Sequence, residues 1–109
     1  MKQIKAFMHP NRISSVVQAL RDSGLCDISA GSGCHNLTVT TVQRLFTSTD
    51  PSQQHYSVAL AEPVVDEVRL ELVCDAQLAD QLSAMIVHAV QAGPGWVFVS
   101  DLESATRLT

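Results

Sequence analysis

Twice in 109 residues the hydrophobic rhythm of this chain passes from alternation to a helical repeat and back, and that doubled unit limits the fold more than any single motif. Lys2-Gln3-Ile4-Lys5-Ala6-Phe7-Met8 alternates as a half-buried strand does. Pro10 follows where a fixed φ and a missing N–H suit the first turn of a helix. Ile13, Val16, Val17 and Leu20 recur at helical spacing, so an amphipathic helix is expected over 11–22, ended by Ser23-Gly24. Leu37-Thr38-Val39-Thr40-Thr41-Val42 is a β-branched run that reads as a strand. Val68, Leu70 and Leu72 alternate with Arg69 and Glu71, giving a strand at 66–74. Asp75 is placed to cap a second helix over 76–91, whose buried stripe is Leu78, Leu82, Met85, Ile86, Ala89 and Val90. Gly93-Pro94-Gly95 then turns the chain into a last strand, Trp96–Leu102.

This order predicts an α+β class, a ferredoxin-like βαββαβ sandwich with two helices on one face of an antiparallel sheet. All of 1–109 is expected to be one domain, since a chain of this length supports a single core. Only 5% of the residues are aromatic, so that core must rest on Val, Leu, Ile and Ala. A small domain this apolar, with 46% hydrophobic residues, is expected to bury surplus surface in an oligomer.

Charge and length remove several functions. The net charge is −4 and no basic stripe is present, so the phosphate neutralisation that drives nucleic-acid binding has no support. Apolar runs fall far short of the ~20 residues that span a bilayer, and Met1–Lys5 lacks the apolar core of a signal peptide. Cytoplasmic residence is expected. Three cysteines with no CxxC pair suit reduced thiols in such a compartment.

Two segments read as loops: the small, glycine-rich 26–36 and the polar 46–57 with its Asp50-Pro51 turn. Cys26, Cys34 and His35 could supply soft ligands to Zn²⁺ or Cu⁺, although their spacing matches no standard zinc site; a structural loop and a Cys26–Cys34 redox pair are the other readings. Cys74 reads as a small buried hydrophobe. Gly93 and Gly95 could present backbone amides to an anion or simply form a tight turn. Trp96 could stack on a base or substrate, or fill the sheet or a subunit contact. Glu71, opposite in face to Leu70 and Leu72, could line a cleft or stand exposed. His88 reads as a boundary histidine. No paired carboxylates, nucleophile elbow or Cys–His arrangement with local support is present, so enzymatic activity is not expected.

Together these segments resemble the PII signal-transduction proteins, the nitrogen regulatory protein P-II superfamily, over nearly the whole chain. Met1–Ala6 with Pro10 and Ala19-Leu20…Gly24-Leu25 is similar to the family's first unit, 37–42 to its second strand and Val68–Val73 to its third. Gly93-Pro94-Gly95-Trp96-Val97-Phe98-Val99 and Ala105-Thr106-Arg107 resemble its nucleotide loop and C-terminal strand.

The resemblance implies a homotrimer that binds an adenine nucleotide in clefts between subunits. It also implies a signalling loop, by position residues 43–65, that reports the ligand to a target such as a membrane transporter. Thr38 and Glu71 would lie on the adenosine side, with Gly93, Gly95 and Arg107 toward the phosphates. Departures shift the ligand. The usual Gly-Asp-Gly-Lys is Gly93-Pro94-Gly95-Trp96 here, which removes one backbone donor and the cation. The next expected arginine after Arg107 would fall past Thr109. ADP, AMP or a small anion such as bicarbonate is therefore expected rather than ATP. Arg44-Leu45-Phe46 replaces the glycine-rich start of the loop, Tyr56 lies one place from a tyrosine that some members modify, and 26–36 reads as an insertion. A second reading keeps the trimer but makes it a copper- or zinc-responsive binding module using Cys26, Cys34 and His35.

Overall fold

The computed structural model describes residues 1–26, 33–45, 54–91 and 93–108. Five antiparallel strands and two helices form it: β1 (Lys2–Met8), α1 (Ile13–Asp22), β2 (Cys34–Arg44), β3 (Gln54–Ser57), β4 (Glu62–Cys74), α2 (Ala79–Val90) and β5 (Gly95–Asp101). The sheet order is β2-β4-β1-β5, with β3 added to the β4 start. This is the expected ferredoxin-like arrangement, with the two strands of the doubled unit at its centre.

Alternation decides which face is covered. Ile4, Ala6 and Met8 on β1 and Val68, Leu70, Leu72 and Cys74 on β4 are buried, and they join Val16 and Leu20 of α1 and Leu82 and Ile86 of α2 in one cluster. Both helices therefore lie on that face, and the opposite face stays open, as one-sided antiparallel sheets allow. Each helix is entered through a 3-10 turn, Pro10–Arg12 and Ala76–Leu78. His9 Nδ1 accepts the Asn11 N–H at 3.2 Å in the first. Asp75, expected to cap the second with its side chain, makes no such bond; its carbonyl accepts the Leu78 N–H at 3.0 Å instead. The intervening 3-10 turn takes up the amides the carboxylate would have met.

Two strand starts differ from expectation, and one strand was not expected. β2 starts at Cys34, not Leu37, because a β-bulge between His35 and Thr38 lets the strand continue backward, with Asn36 at φ 55°. β4 starts at Glu62 rather than 66, and Gln54–Ser57, read as loop, is a strand paired with Glu62–Val65. Polar composition hid this hairpin, since two of its four β3 residues are exposed and show no apolar alternation. Residues 27–32 and 46–53, which hold most of the expected 26–36 insertion and the Asp50-Pro51 turn, lie outside the described residues. Among the described residues no helix is long and apolar enough to cross a membrane.

Candidate functional site

The open sheet face carries two rows of side chains, fixed by register. Across one run Phe98, Lys5, Glu71 and Thr38; across the next, Trp96, Phe7, Arg69 and Thr40. Thr38 and Glu71, expected on one side of a nucleotide, are thus direct cross-strand partners. Glu71 is already engaged: its Oε1 lies 2.7 Å from Arg69 Nε. The same face holds Glu67, only 4% exposed, with its Oε1 3.0 Å from Arg44 Nε at the base of the 43–65 segment. The two atoms pair by charge without the alignment of a hydrogen bond.

Gly93 and Gly95 stand at a different corner. Gly95 pairs with Met8, which pairs with Val68, so it is two strands across and three residues along from Glu71. Ladder spacings make that separation roughly 14 Å. Gly95 must be glycine, since a Cβ there would sit 2.4 Å from the Phe7 carbonyl oxygen. At Gly93 a Cβ would meet only ordinary contacts, at 3.6 Å. Beneath this turn lies a cavity of about 290 Å³ lined by Met8, Ile86, Val90, Gly93, Gly95 and Trp96. A wider groove of about 880 Å³ runs between α1 and α2, lined by Ser15, Gln18, Gln81 and His88, away from every expected contact. Arg107 is exposed in the segment after β5, which has no regular secondary structure.

One protomer therefore brings Thr38 and Glu71 together and keeps them apart from Gly93 and Gly95. A cation absent from the sequence expectation also stands at the glycine turn. Arg12 Nε lies 4.0 Å from where a Cβ on Gly93 would be. Arg12 closes the 3-10 turn Pro10–Arg12, which follows Met8, and Met8 pairs with Gly95.

Trp96 is 64% exposed and stacks on Phe98, with centroids 5.8 Å apart and planes within 12°. Phe98 meets Phe7 edge-on at 5.9 Å. The aromatics form a patch on the open face rather than part of the core. At the far end of β5, Asp101 pairs with Lys2, whose hydrogen bond and charge hold the carboxyl below the ordinary aspartate range.

The cysteines correct the expectation of reduced thiols: Cys26 and Cys34 are joined by a disulfide, with Cα atoms 4.5 Å apart. Of the readings open for these cysteines, the Cys26–Cys34 pair is the one present. In this state neither sulfur is a thiolate ligand, and exposed His35 stands beside the bridge. Among the described residues no group of three or more His, Cys, Asp or Glu is placed to hold a metal ion.

Comparison with known proteins gives concordant matches. The family model described as nitrogen regulatory protein P-II matches residues 1–109. A nitrogen regulatory protein P-II of Haemophilus influenzae is 25% identical over 111 residues, covering 99% of this chain and 91% of that protein. A nitrogen regulatory protein P-II 2 of Methanothermobacter thermautotrophicus is 23% identical over 111 residues, covering 99% and 89%.

Proposed function

The chain belongs to the nitrogen regulatory protein P-II family, a family of regulatory signal-transduction proteins, and we propose that it acts as a homotrimer binding an adenine nucleotide or small anion between subunits. The observation that carries this reading is the split of the expected contacts into two half-sites on one protomer, Thr38 with Glu71 and Gly93 with Gly95. A complete site then needs a neighbouring copy. The open face, with Trp96 and Phe98 at 64% and 50% exposure, is a surface such a copy would cover.

The cations favour a ligand of low charge. Of seven Lys and Arg residues, Lys2, Arg44 and Arg69 are committed to ion pairs, leaving Lys5, Arg12, Arg21 and Arg107 among the described residues. Only Arg12 stands at the glycine turn, and Arg107 could join it from the segment after β5. Two cations suit ADP, AMP or bicarbonate better than a triphosphate. The 43–65 segment, anchored at its base by Arg44–Glu67 and closed by the β3–β4 hairpin, would carry the ligand state to a partner, such as a membrane transporter, in the cytoplasm.

Calorimetric titration of the protein with ATP, ADP and AMP, each with and without bicarbonate, tests the reading. One saturable site per subunit, weakened by Glu71→Gln and by Arg12→Gln, is expected. Absence of heat with every combination would refute it.

A further inference from the structure

All three cysteines occupy one corner of the molecule, outside the residues used above. Cys26 follows α1 and is half-buried, while Cys34 opens β2 and is 1% exposed; the two are bonded. Cys34 is also the direct cross-strand partner of Cys74, the last residue of β4, which is 0% exposed and carries a free thiol. Both side chains belong to the same core cluster and so point to the same face of the sheet. Opposed residues in an antiparallel pair have Cβ atoms about 4.5–5.5 Å apart, close to what a disulfide spans. Cys34 thus has two sulfurs in reach, one bonded and one free.

The backbone around Cys34 is held from both sides. Gly33, at φ 86°, packs so tightly that a Cβ would stand 2.0 Å from the Leu25 carbonyl oxygen. The Asp75 N–H donates to the Gly33 carbonyl at 3.3 Å. A sulfur on Cys34 can therefore change partner by rotating its side chain, with little displacement of the main chain.

We propose that Cys26, Cys34 and Cys74 form an internal thiol–disulfide exchange site in which Cys34 changes partner. Cys74 loses its proton to solvent, and its thiolate attacks Cys34 Sγ. The Cys34–Cys74 bond forms as the Cys26–Cys34 bond breaks. The electron pair leaves on Cys26 Sγ, which takes a proton from water. One disulfide and one thiol exist before and after, so no external oxidant or reductant is consumed. The exchange carries the free thiol from the core to Cys26, where it meets solvent, and unties the end of α1 from β2. Burial, with the Asp75 charge beside it, raises the Cys74 thiol above its ordinary range, which keeps the proton on Cys74 and makes its attack slow at neutral pH.

Peptide mapping under non-reducing conditions reads the exchange directly. A protease that cleaves before aspartate cuts at Asp27 and Asp75 and so places the three cysteines on separate peptides. The full chain, first oxidised with glutathione disulfide, is incubated with iodoacetamide from pH 7 to 9 and mapped. Labelling at Cys26 is expected to rise roughly tenfold per pH unit while a Cys34–Cys74 linked peptide accumulates in equal amount. Cys74→Ser should abolish that labelling. Label confined to Cys74, with Cys26–Cys34 intact, would overturn the proposal. Cys26→Ser, oxidised in the same way, should yield the Cys34–Cys74 bridge; a glutathione adduct at Cys34 beside a free Cys74 would overturn it equally.

Discussion

Removing the Glu67 carboxylate tests how the base of the 43–65 segment is held. Glu67 lies almost wholly out of solvent on the open sheet face, with Arg44 Nε at 3.0 Å, and Val42 is its cross-strand partner. Two unit charges at that separation attract by about 5 kcal/mol at an effective dielectric constant of 20. Desolvation of the carboxylate consumes much of that, so the pair itself adds little net stability. Breaking it is another matter. Glu67→Ala leaves Arg44 without its counter-charge, and loss of one partner from a fully buried pair costs about 3–5 kcal/mol. The Arg44 side chain is 35% exposed and recovers part of its hydration, so the expected loss is about 2–3 kcal/mol. For a domain of this size that corresponds to a fall in Tm of roughly 10 °C. The double variant Arg44→Leu/Glu67→Leu removes both charges and fills the space with apolar side chains beside Val42 and Val65. It should lie within about 1 kcal/mol of the natural chain. Urea denaturation of both variants at one fixed protomer concentration makes the comparison, since association would make the apparent stability depend on concentration. If the double variant is as unstable as Glu67→Ala, or Glu67→Ala is neutral, the account of this pair is wrong.

Other consequences follow from the same structure. Gly95→Ala drives a Cβ to 2.4 Å from the Phe7 carbonyl and should cost about 2–4 kcal/mol in denaturation, whereas Gly93→Ala meets ordinary contacts and should change stability by about 0.5 kcal/mol or less. Ser83 Oγ is buried with no hydrogen-bond partner among the described residues, so Ser83→Ala should raise stability by about 0.5–1 kcal/mol, measured in the same way. The Asp101 carboxyl is depressed by Lys2, so its contribution is present at neutral pH and fades as the pH falls through its folded-state value; Asp101→Asn should flatten that acid limb of the stability profile. Trp96 is the only tryptophan, and its emission should shift to the red on dilution of the natural protein as the patch it shares with Phe98 becomes exposed; a spectrum unchanged from high to low concentration would count against a subunit contact there.

The fold was legible where burial writes a period into the sequence. Ile4, Ala6 and Met8, the Val68–Leu72 alternation, and the Leu82–Ile86 stripe all face one cluster, and each announced its element. Legibility failed where backbone pairing proceeds without burial. β3 at 54–57 and the start of β2 are paired strands in which exposed polar residues, His55, Tyr56, His35 and Asn36, break any apolar alternation. Of the expected contacts, Thr38 and Glu71 met because strand register is set by hydrophobic pattern. Arg12 was missed because its closeness to Gly93 depends on how the turn after β1 folds back over the β5 start, a tertiary relation no local pattern encodes. The Cys26–Cys34 pair was one of several open readings, because an eight-residue separation does not reveal that their Cα atoms come within 4.5 Å.

The open face and the divided site express one physical requirement. The helices satisfy only the face that carries Ile4, Leu70 and Leu72, and alternation sends Phe7, Trp96 and Phe98 to the other, where no described residue of one protomer covers Trp96 and Phe98. A second copy that covers this patch must approach the β5 edge, and the β5 edge begins at Gly95, beside Gly93 and Arg12. If that copy arrives with its own β2 and β4, it brings the Thr38–Glu71 pair to the glycine turn and completes what neither chain holds alone. Trimer stability and ligand affinity should then be coupled in sign and size. Trp96→Ala should weaken both, while Thr38→Val should weaken ligand binding and leave assembly intact. Sedimentation measured with and without ADP separates the two effects, and a Trp96→Ala protein that stays monomeric yet binds ADP normally would place the whole site within one protomer.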